Sequence, residues 1–390
     1  MRILIINNTY GFLGGTEKYV RDIKNALKRR GHYVYVVAVE KVGDYNINEE
    51  NLTFTKELLL DDIGKDIKFI LNKTNPDIIF INNFSNAQLI EKLIKIKPVC
   101  RFLHDYSPLC LGWSKVIRFT GNICEYPLGP WCIPCALYSH TISYRPKIML
   151  RQIKLKFYEQ RVLSKIKNII VASRYMKECL ISNDFEDARI DINPYFINLP
   201  DVTDVSYENF ILFVGRIWEQ KGLQFLIKAL AYCDKCINLK IIGDGPYLKT
   251  IITQIKNTNL SHRIEILGML PYEKISEYYK NCLVVVVPSI WPEPFGIVGV
   301  ESMSFQKPVV AFDVGGIKDW LLNGETGFLV KRGDVRGLAD KINFLLNNKT
   351  VAVEMGRKGR EIVAQKFTEE RHVNHLEEIF TKTLDSVNNN

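Results

Sequence analysis

The chain has 390 residues, of which 47% are hydrophobic and 24% charged. This balance excludes a disordered or fibrous protein, and the length predicts two globular domains. The longest apolar run, near residues 284–287, is strand-sized and far below the ~18–20 residues that a bilayer-spanning helix needs. The first residues resemble a buried strand more than a signal peptide, so we expect a cytoplasmic protein whose nine cysteines are reduced, ligate a metal or serve redox chemistry.

The formal net charge is +9, and the whole surplus lies in residues 1–197. Within it, residues 145–167 contain eight Lys or Arg and a single acid, Glu159. One interpretation is a basic face that docks on an anionic membrane. The other is an ordinary domain helix with a solvated basic side, because the apolar residues form no single stripe. No stacking platform or groove-reading motif accompanies the charge, so we expect no nucleic-acid partner.

Short runs rich in Ile and Val, without polar alternation, predict strands that are covered on both faces by helices. The predicted strands are 3–6, 33–39, 77–81, 99–102, 168–172, 210–214, 239–242, 264–267, 284–287 and 308–311. The clearest predicted helices are 16–30, 222–233, 335–346 and 368–384. This alternation predicts an α/β protein with open, parallel, doubly wound sheets.

An aperiodic stretch with two prolines, 193–208, separates the two sets of strands and predicts a linker. We therefore expect a first Rossmann-like domain over residues 1–197, with a Cys-rich insertion at about 106–144. A second domain is expected over 198–367, followed by a terminal helical segment over 368–390.

A pair of glycines, Gly14 and Gly15, falls between the first strand and the first helix. Paired glycines let the backbone approach a ligand closely, and the following helix N-terminus offers unpaired N–H groups to an anion. Taken alone, the pair favours a plain tight turn over a ligand site.

Two cations follow the first strand of the second set. Arg216 lies just beyond residues 210–214, and Lys221 stands at the start of the next helix. Ligands of open α/β sheets bind at the carboxyl ends of strands, where two fixed cations would suit a diphosphate. The alternative is a pair of solvated surface cations.

Two acids are separated by seven residues, Glu293 on a loop and Glu301 on a helix that begins near Gly296. Both carboxylates could accept hydrogen bonds from sugar hydroxyls, and the helix start could bind phosphate. The alternative for Glu301, a solvated helix position, is disfavoured by its apolar neighbours.

Two histidines receive different interpretations. His104 follows the strand 99–102, where an imidazole can hydrogen-bond a substrate hydroxyl or stabilise developing charge. His32, directly after a helix, is assigned a structural role.

Four cysteines fall within one short stretch of the predicted insertion. Four thiolates would suit tetrahedral zinc or an iron–sulfur cluster, and a redox disulfide or unligated thiols are the alternatives. The four are Cys110, Cys124, Cys132 and Cys135.

Taken together, these motifs resemble the fourth sequence-based family of retaining glycosyltransferases, which have the GT-B fold of two Rossmann-like domains facing a cleft. The resemblance covers nearly the whole chain. It comprises the Gly-Gly turn, Gly215-Arg216, Lys221-Gly222, Gly243-Asp244-Gly245-Pro246, the E-x7-E run, Gly315-Gly316 and Asn323-Gly324-x-Thr326-Gly327.

The resemblance implies transfer of a hexose-type sugar, with retention, from a UDP- or GDP-type donor to a lipid-linked or glycan acceptor in cell-envelope or surface polysaccharide synthesis. It implies that Arg216 and Lys221 hold the diphosphate in place of a divalent ion, which agrees with the lack of an Asp-x-Asp motif. Glu293 would bind a donor-sugar hydroxyl, and Glu301 the ribose.

Other roles implied by the resemblance concern the surroundings of the donor. His104 would lie near the transferred sugar, and Gly268-Met269 beside the nucleobase. Gly14 and Gly15 would approach the distal phosphate from the opposite domain. The terminal helix would cross back to the first domain. The Cys-rich insertion directly follows His104 in the sequence, so we expect it to border the acceptor and to shape acceptor choice. The backbone that meets the sugar and distal phosphate would be that of Phe295, Gly296, Ile297 and Val298.

Three rival functions remain at this point. A nucleotide-sugar epimerase and a phosphorylase share this fold, and the glycine pair and the E-x7-E run argue against both. A catalytically silent scaffold is the rival of a different class, and the filled polar positions argue against it.

Overall fold

The computed structural model describes residues 1–11, 15–42, 51–60, 62–137, 146–203 and 205–388. It divides into two compact units. Unit 1 comprises Met1–Tyr195 and the segment from Glu369 onward, and unit 2 comprises Phe196–Thr368. The division falls two residues before the predicted boundary, and the terminal helix groups with unit 1.

Unit 1 is built on a parallel sheet whose seven described strands lie in the order β3-β2-β1-β4-β5-β6-β7. The strands are β1 Arg2–Gly11, β2 Tyr33–Val42, β3 Leu52–Phe54, β4 Ile78–Ile81, β5 Val99–Leu103, β6 Asn168–Val171 and β7 Ile190–Ile192. The helices are α1 Gly15–Arg29, α2 Lys65–Thr74, α3 Ala87–Ile94, α4 Cys132–Leu137, α5 Pro146–Leu163, α6 Arg174–Ile181 and the terminal α13 Glu369–Asn388.

Unit 2 contains a second parallel sheet, of six described strands in the order β10-β9-β8-β11-β12-β13. The strands are β8 Phe210–Val214, β9 Asn238–Ile242, β10 Ile264–Gly268, β11 Val284–Val287, β12 Val309–Phe312 and β13 Gly327–Val330. The helices are α7 Leu223–Leu230, α8 Leu248–Lys256, α9 Tyr272–Asn281, α10 Ile297–Ser304, α11 Val335–Asn347 and α12 Lys349–Lys366.

The apolar runs form the buried strands that the sequence predicts. Every residue of β4, β5, β6, β11 and β12 is buried. Such strands have no solvent-facing side, which explains why their sequences lack polar alternation. The prediction of doubly wound parallel sheets is confirmed.

In each sheet the strand order reverses once, between β1 and β4 in unit 1 and between β8 and β11 in unit 2. Loops that leave two adjacent strands at such a switch point diverge to opposite faces of the sheet, and the gap between them is where doubly wound sheets bind ligands. We therefore expect ligands to bind at the segments that follow these four strands.

Helix α13 is fixed to unit 1 by buried polar contacts. The Tyr19 hydroxyl lies 2.9 Å from Nε2 of His372, and the amide of Asn193 donates to the His372 carbonyl. His32 Nε2 lies 2.7 Å from Glu377 of the same helix, which agrees with the structural role assigned to His32.

Candidate active site

An ion pair lies at the switch point of unit 2. Lys221, which ends a short 3-10 turn after β8, places its ammonium 2.7 Å from Oε1 of Glu293, which follows β11. The adjacent parallel pairing of β8 and β11 brings these residues together across 72 positions of sequence. The two predicted site residues therefore meet at the expected edge of the sheet.

Glu293 is only 3% exposed, and several contacts hold its carboxylate and its backbone in place. The Ser289 hydroxyl donates to the same carboxylate oxygen that Lys221 contacts, and the Glu293 carbonyl accepts from the Gly316 N–H. The Lys221 ammonium also lies 5.4 Å from the centre of the Trp291 ring. A buried carboxylate held by a cation and a hydroxyl is kept in one orientation, with little freedom to reach elsewhere.

Two glycines allow the backbone to close around this pair. Gly222 has φ +72°, and a Cβ there would stand 1.7 Å from the Pro288 carbonyl oxygen. Gly315 has φ +55°, and a Cβ would stand 2.3 Å from the Glu293 carbonyl oxygen. Side chains at either position would push β8 away from β11 or displace Glu293, so both positions require glycine.

Arg216 lies at the same edge of the sheet, two residues beyond β8. Its side chain is exposed, with the guanidinium 4.9 Å from the centre of the Trp218 ring. The backbone turns at Gly215, which adopts φ +150°. Gly243 packs closely against the carbonyl group of Gly215, where a Cβ on Gly243 would stand 2.0 Å from the oxygen. An aromatic-backed guanidinium remains charged and available to an anion.

Helix α10 points an uncapped N-terminus toward this edge. Gly296 precedes it in the left-handed conformation, φ +84°, and no side chain caps the first turn. The buried Trp320 donates its indole N–H to the Phe295 carbonyl at 2.6 Å and fills the space beside Gly299, where a Cβ would stand 1.9 Å from the ring. The start of the helix is thereby fixed, and its N–H groups form a site suited to an anion.

Glu301 lies one turn further along α10, half-buried, with Oε2 3.5 Å from the Tyr279 hydroxyl. Burial raises the pKa of Tyr279 well above its ordinary value, and the Glu301 charge adds to that increase. The tyrosine therefore stays protonated and can donate to the carboxylate.

The two residues predicted to lie beside the nucleobase, Gly268 and the exposed Met269, lie at the end of β10, two strands from β8.

In unit 1, His104 follows β5 and is hydrogen-bonded through both ring nitrogens. Nε2 lies 3.0 Å from Oδ1 of Asn82, an atom that can only accept, so Nε2 donates. Nδ1 then accepts from the Tyr195 hydroxyl at 2.5 Å. Burial, followed by the nearby Arg101 and His372, lowers the pKa of His104 to about 3. The imidazole is neutral at physiological pH, and it can bind a sugar hydroxyl only by exchanging one of these partners.

The glycine pair is only partly described. Gly15 begins α1, with no atom within 4 Å of where its Cβ would lie, and Gly14 falls outside the described residues. Near this turn, the Thr9 hydroxyl donates to Glu17 in the first turn of α1 at 2.6 Å. The role of the pair in binding a phosphate stays a prediction.

The four cysteines of the insertion lie near one another as unbonded, half-buried thiols. Burial raises the pKa of Cys124 and of Cys132, and the neighbouring thiols add to both increases. Across the described ranges, no three His, Cys, Asp or Glu side chains are placed to hold a metal ion. The structure therefore gives no support to the zinc or iron–sulfur hypothesis, which stays a prediction for metal analysis of the purified protein.

Three residues of the site were missed by the sequence analysis. Asn82 had the same signal as His104, since it directly follows a predicted strand, and Ser289 follows β11 in the same way. Tyr195 gave no signal, because its contact with His104 depends on the path that the chain takes after β7.

Comparison with known proteins finds glycosyltransferases. Residues 13–200 match the family described as Glycosyltransferase Family 4, and residues 200–362 match Glycosyl transferases group 1. An uncharacterized glycosyltransferase of Methanocaldococcus jannaschii is 33% identical over 238 residues, which are 61% of this chain and 66% of that protein. The capsular polysaccharide biosynthesis glycosyltransferase CapM of Staphylococcus aureus is 32% identical over 190 residues, 45% of this chain and 47% of that protein. The matches thus span about half to two thirds of these relatives' lengths.

Solved structures share the fold at low identity. Anabaena HepE, solved in complex with UDP and glucose, superposes with a TM-score of 0.74 at 20% identity, covering 98% of this chain and 99% of that one. Sucrose-phosphate synthase of Thermosynechococcus elongatus gives a TM-score of 0.74 at 21% identity, with 98% and 99% covered. With two family matches that together run from residue 13 to residue 362, the chain belongs to the family-4 glycosyltransferases of the GT-B fold.

Proposed function

We propose that this protein transfers a sugar, with retention of anomeric configuration, from a nucleoside diphosphate sugar to a glycan or lipid-linked acceptor in surface polysaccharide synthesis. The observation that carries the proposal is the Lys221–Glu293 pair at the switch point of unit 2, beside the uncapped start of α10. A buried acid next to a cation, with helix N–H groups nearby, can hold a hydroxyl and a phosphate at once.

In the proposed reaction, an acceptor oxygen bonds to the anomeric carbon of the donor sugar. The bond from that carbon to the phosphate oxygen breaks, its electron pair leaves with the diphosphate, and the acceptor proton is carried away with the nucleoside diphosphate. Arg216 and Lys221 offset the charge that grows on the leaving group, which is where fixed cations accelerate a reaction most. Glu293 orients the sugar, and Glu301 binds the ribose.

Similar proteins support the polysaccharide setting and a UDP donor. CapM is named for capsular polysaccharide biosynthesis, and a relative from Staphylococcus aureus strain COL is a poly(ribitol-phosphate) α-N-acetylglucosaminyltransferase. HepE was solved with UDP and with UDP-glucose. We therefore propose a UDP-sugar first and a GDP-sugar second.

Thermal-shift titration against UDP-, GDP- and ADP-sugars tests the donor. We expect one UDP-sugar to raise the midpoint of unfolding, since a ligand at 100 times its Kd stabilises by about 2.7 kcal/mol. Glu301→Gln should weaken the binding of that donor about tenfold, because the hydrogen bonds to the ribose become weaker. NMR of the product with an added acceptor gives its anomeric configuration. No shift with any nucleotide sugar would refute the proposal, and binding without turnover would favour the silent scaffold.

A membrane surface is the proposed setting of the reaction, with α5 in contact with anionic lipid. No helix in the described ranges is long and apolar enough to cross a bilayer. On α5, exposed cations stand beside large exposed apolar side chains, a combination typical of helices that lie at a bilayer surface. The cations are Arg151, Lys154 and Arg161, and the apolar residues are Ile148, Leu150, Leu155 and Phe157.

Vesicle sedimentation tests this contact. We expect the protein to pellet with vesicles containing phosphatidylglycerol and not with pure phosphatidylcholine, because each basic side chain near an anionic surface contributes about 1 kcal/mol. Replacing Arg151, Lys154 and Arg161 by Gln should lower the partition coefficient roughly 100-fold. The matched control replaces three exposed lysines of unit 2, Lys235, Lys249 and Lys256, by Gln. Equal losses in the two triple variants would count against a contact through α5.

A further inference from the structure

A cavity of about 430 Å³ lies in unit 1. Its walls are the start of α3, the loop after β5 and one face of α5, and we call it the α5 pocket. Both α3 and that loop follow the carboxyl ends of neighbouring strands, β4 and β5. The volume falls in the range of about 300–1,000 Å³ that is typical of small-molecule sites.

One face of α5 supplies the polar side of this pocket. Gln152, Leu155, Lys156 and Glu159 line it, at spacings of three, four and seven residues that place them on one side of a helix. Glu159 is only 5% exposed, and Lys156 contacts its Oε2 at 2.6 Å. The basic exposed residues of α5 lie on other faces of the helix.

Hydrogen bonds are missing where this face meets the interior. Oε1 of Gln152 is buried without a hydrogen-bond partner, and Oε1 of Glu159 has only the ion pair with Arg101 Nη2, 3.6 Å away. Two further nitrogens of Arg101, Nε and Nη1, are buried without a hydrogen-bond partner. An unpaired buried polar group is costly, and such groups in a native protein need an explanation.

The chemistry of the lining selects a class of ligand. It offers acceptors (Gln152, Glu159), a donor (Lys156) and the ring of Trp113, whose backbone is held in the left-handed region at φ +54°. A sugar ring carries hydroxyls that both donate and accept, and an apolar face that packs on aromatic rings. An inorganic anion would use the lysine and leave the two acceptors unmatched.

We propose that the α5 pocket binds a sugar residue of the acceptor and selects which glycan is extended. This inference rests on the proposed transferase function and names the acceptor side of it. The pocket is lined by segments that follow the carboxyl ends of β4 and β5, and His104 also follows β5. Leu155 belongs both to the lining and to the exposed apolar surface of α5. A lipid-linked acceptor could thus have its lipid at the bilayer and its sugar in the pocket.

The test uses ligand-detected saturation-transfer NMR on the full chain without donor. The probes are the methyl glycosides of glucose, galactose and N-acetylglucosamine. We expect at least one of these glycosides to bind the wild type. Gln152→Leu should lower the affinity for that glycoside about tenfold, because one hydrogen-bonding group is lost. Lys167→Gln, exposed and just beyond the same helix, should bind as the wild type does.

Two further readouts keep the outcomes separate. Gln152→Leu removes the carboxamide with its unpaired buried oxygen and leaves an apolar side chain, so its midpoint of unfolding should equal or exceed that of the wild type. A lower midpoint with unchanged glycoside binding would make Gln152 a structural residue and overturn the inference, as would a wild type that binds none of the glycosides. The donor thermal shift is measured on the same samples. A retained donor shift confines the failure to the pocket, and a lost one refutes the proposed function itself.

Discussion

Lys221→Ala is expected to lower kcat/KM for sugar transfer by about 10³-fold, since removal of one group that stabilises transition-state charge typically costs 10²–10³. The same change leaves Glu293 buried beside Ser289 without its cation. An unpaired buried charge destabilises a protein, and with Lys221 partly exposed we expect a loss of about 2 kcal/mol. Steady-state kinetics and thermal unfolding of the same sample give both quantities.

A double variant separates the two effects. Lys221→Ala with Glu293→Gln removes the orphaned charge while keeping an amide that can accept from Ser289, so stability should return to within about 1 kcal/mol of the wild type. Activity should remain as low as in the single variant, or lower. The control is Lys249→Ala, an exposed lysine of the same unit. If the double variant recovered activity together with stability, Lys221 would be a structural residue and not a catalytic one.

Acid destabilisation through two buried histidines is the second large expected effect. Burial lowers the pKa of His104 to about 3 and that of His372 to about 4. A histidine that stays neutral in the folded state but titrates near 6.5 when unfolded favours folding above pH 6.5. That stability is lost as the pH falls from 6.5 toward the folded pKa. At pH 4.5 each histidine is expected to reduce the free energy of unfolding by roughly 2–3 kcal/mol.

His372→Asn isolates this contribution. The variant loses the hydrogen bonds of His372 to Tyr19 and to the Pro194 carbonyl, so it should be less stable at every pH. Its dependence on pH is the informative quantity. Between pH 6.5 and 4.5 its free energy of unfolding should fall by about 2 kcal/mol less than that of the wild type. His262→Asn, at an exposed histidine, should follow the wild-type curve. Parallel curves for wild type and His372→Asn would contradict the assignment.

Much of the fold followed from the sequence because the central strands are buried on both faces. A run such as that of β11, four valines in succession, is typical of a parallel strand that is covered by helices on both faces. The strands β3, β7 and β13 were missed because they are short and lie at sheet edges, and because β3 and β7 are only partly buried and give a weak apolar signal. Strand ends were predicted to within a few residues, except at β1 and β2, which extend beyond their apolar runs.

The candidate site was predicted in part. Its residues were found because each follows a strand, and that rule needs only the order of elements. The sequence analysis placed Lys221 and Glu293 around one donor. Their direct ion pair was not predicted, because it depends on which strands become neighbours, and the sequence does not reveal that β8 lies next to β11. Both hydrogen bonds of His104 were missed for the same reason, since Asn82 and Tyr195 come from different strands of the unit 1 sheet.

The position of α13 affects the order in which the chain can fold during synthesis. Unit 2 is continuous in sequence, whereas unit 1 is completed only when α13 supplies partners for Tyr19 and Asn193 from more than 170 residues away. Domains usually fold in the order in which they leave the ribosome. Here the first sheet to emerge must wait for the contacts that α13 supplies, and the later sheet can finish before it. The N-terminal part of the nascent chain is thus the part that is accessible to proteases and chaperones for longest.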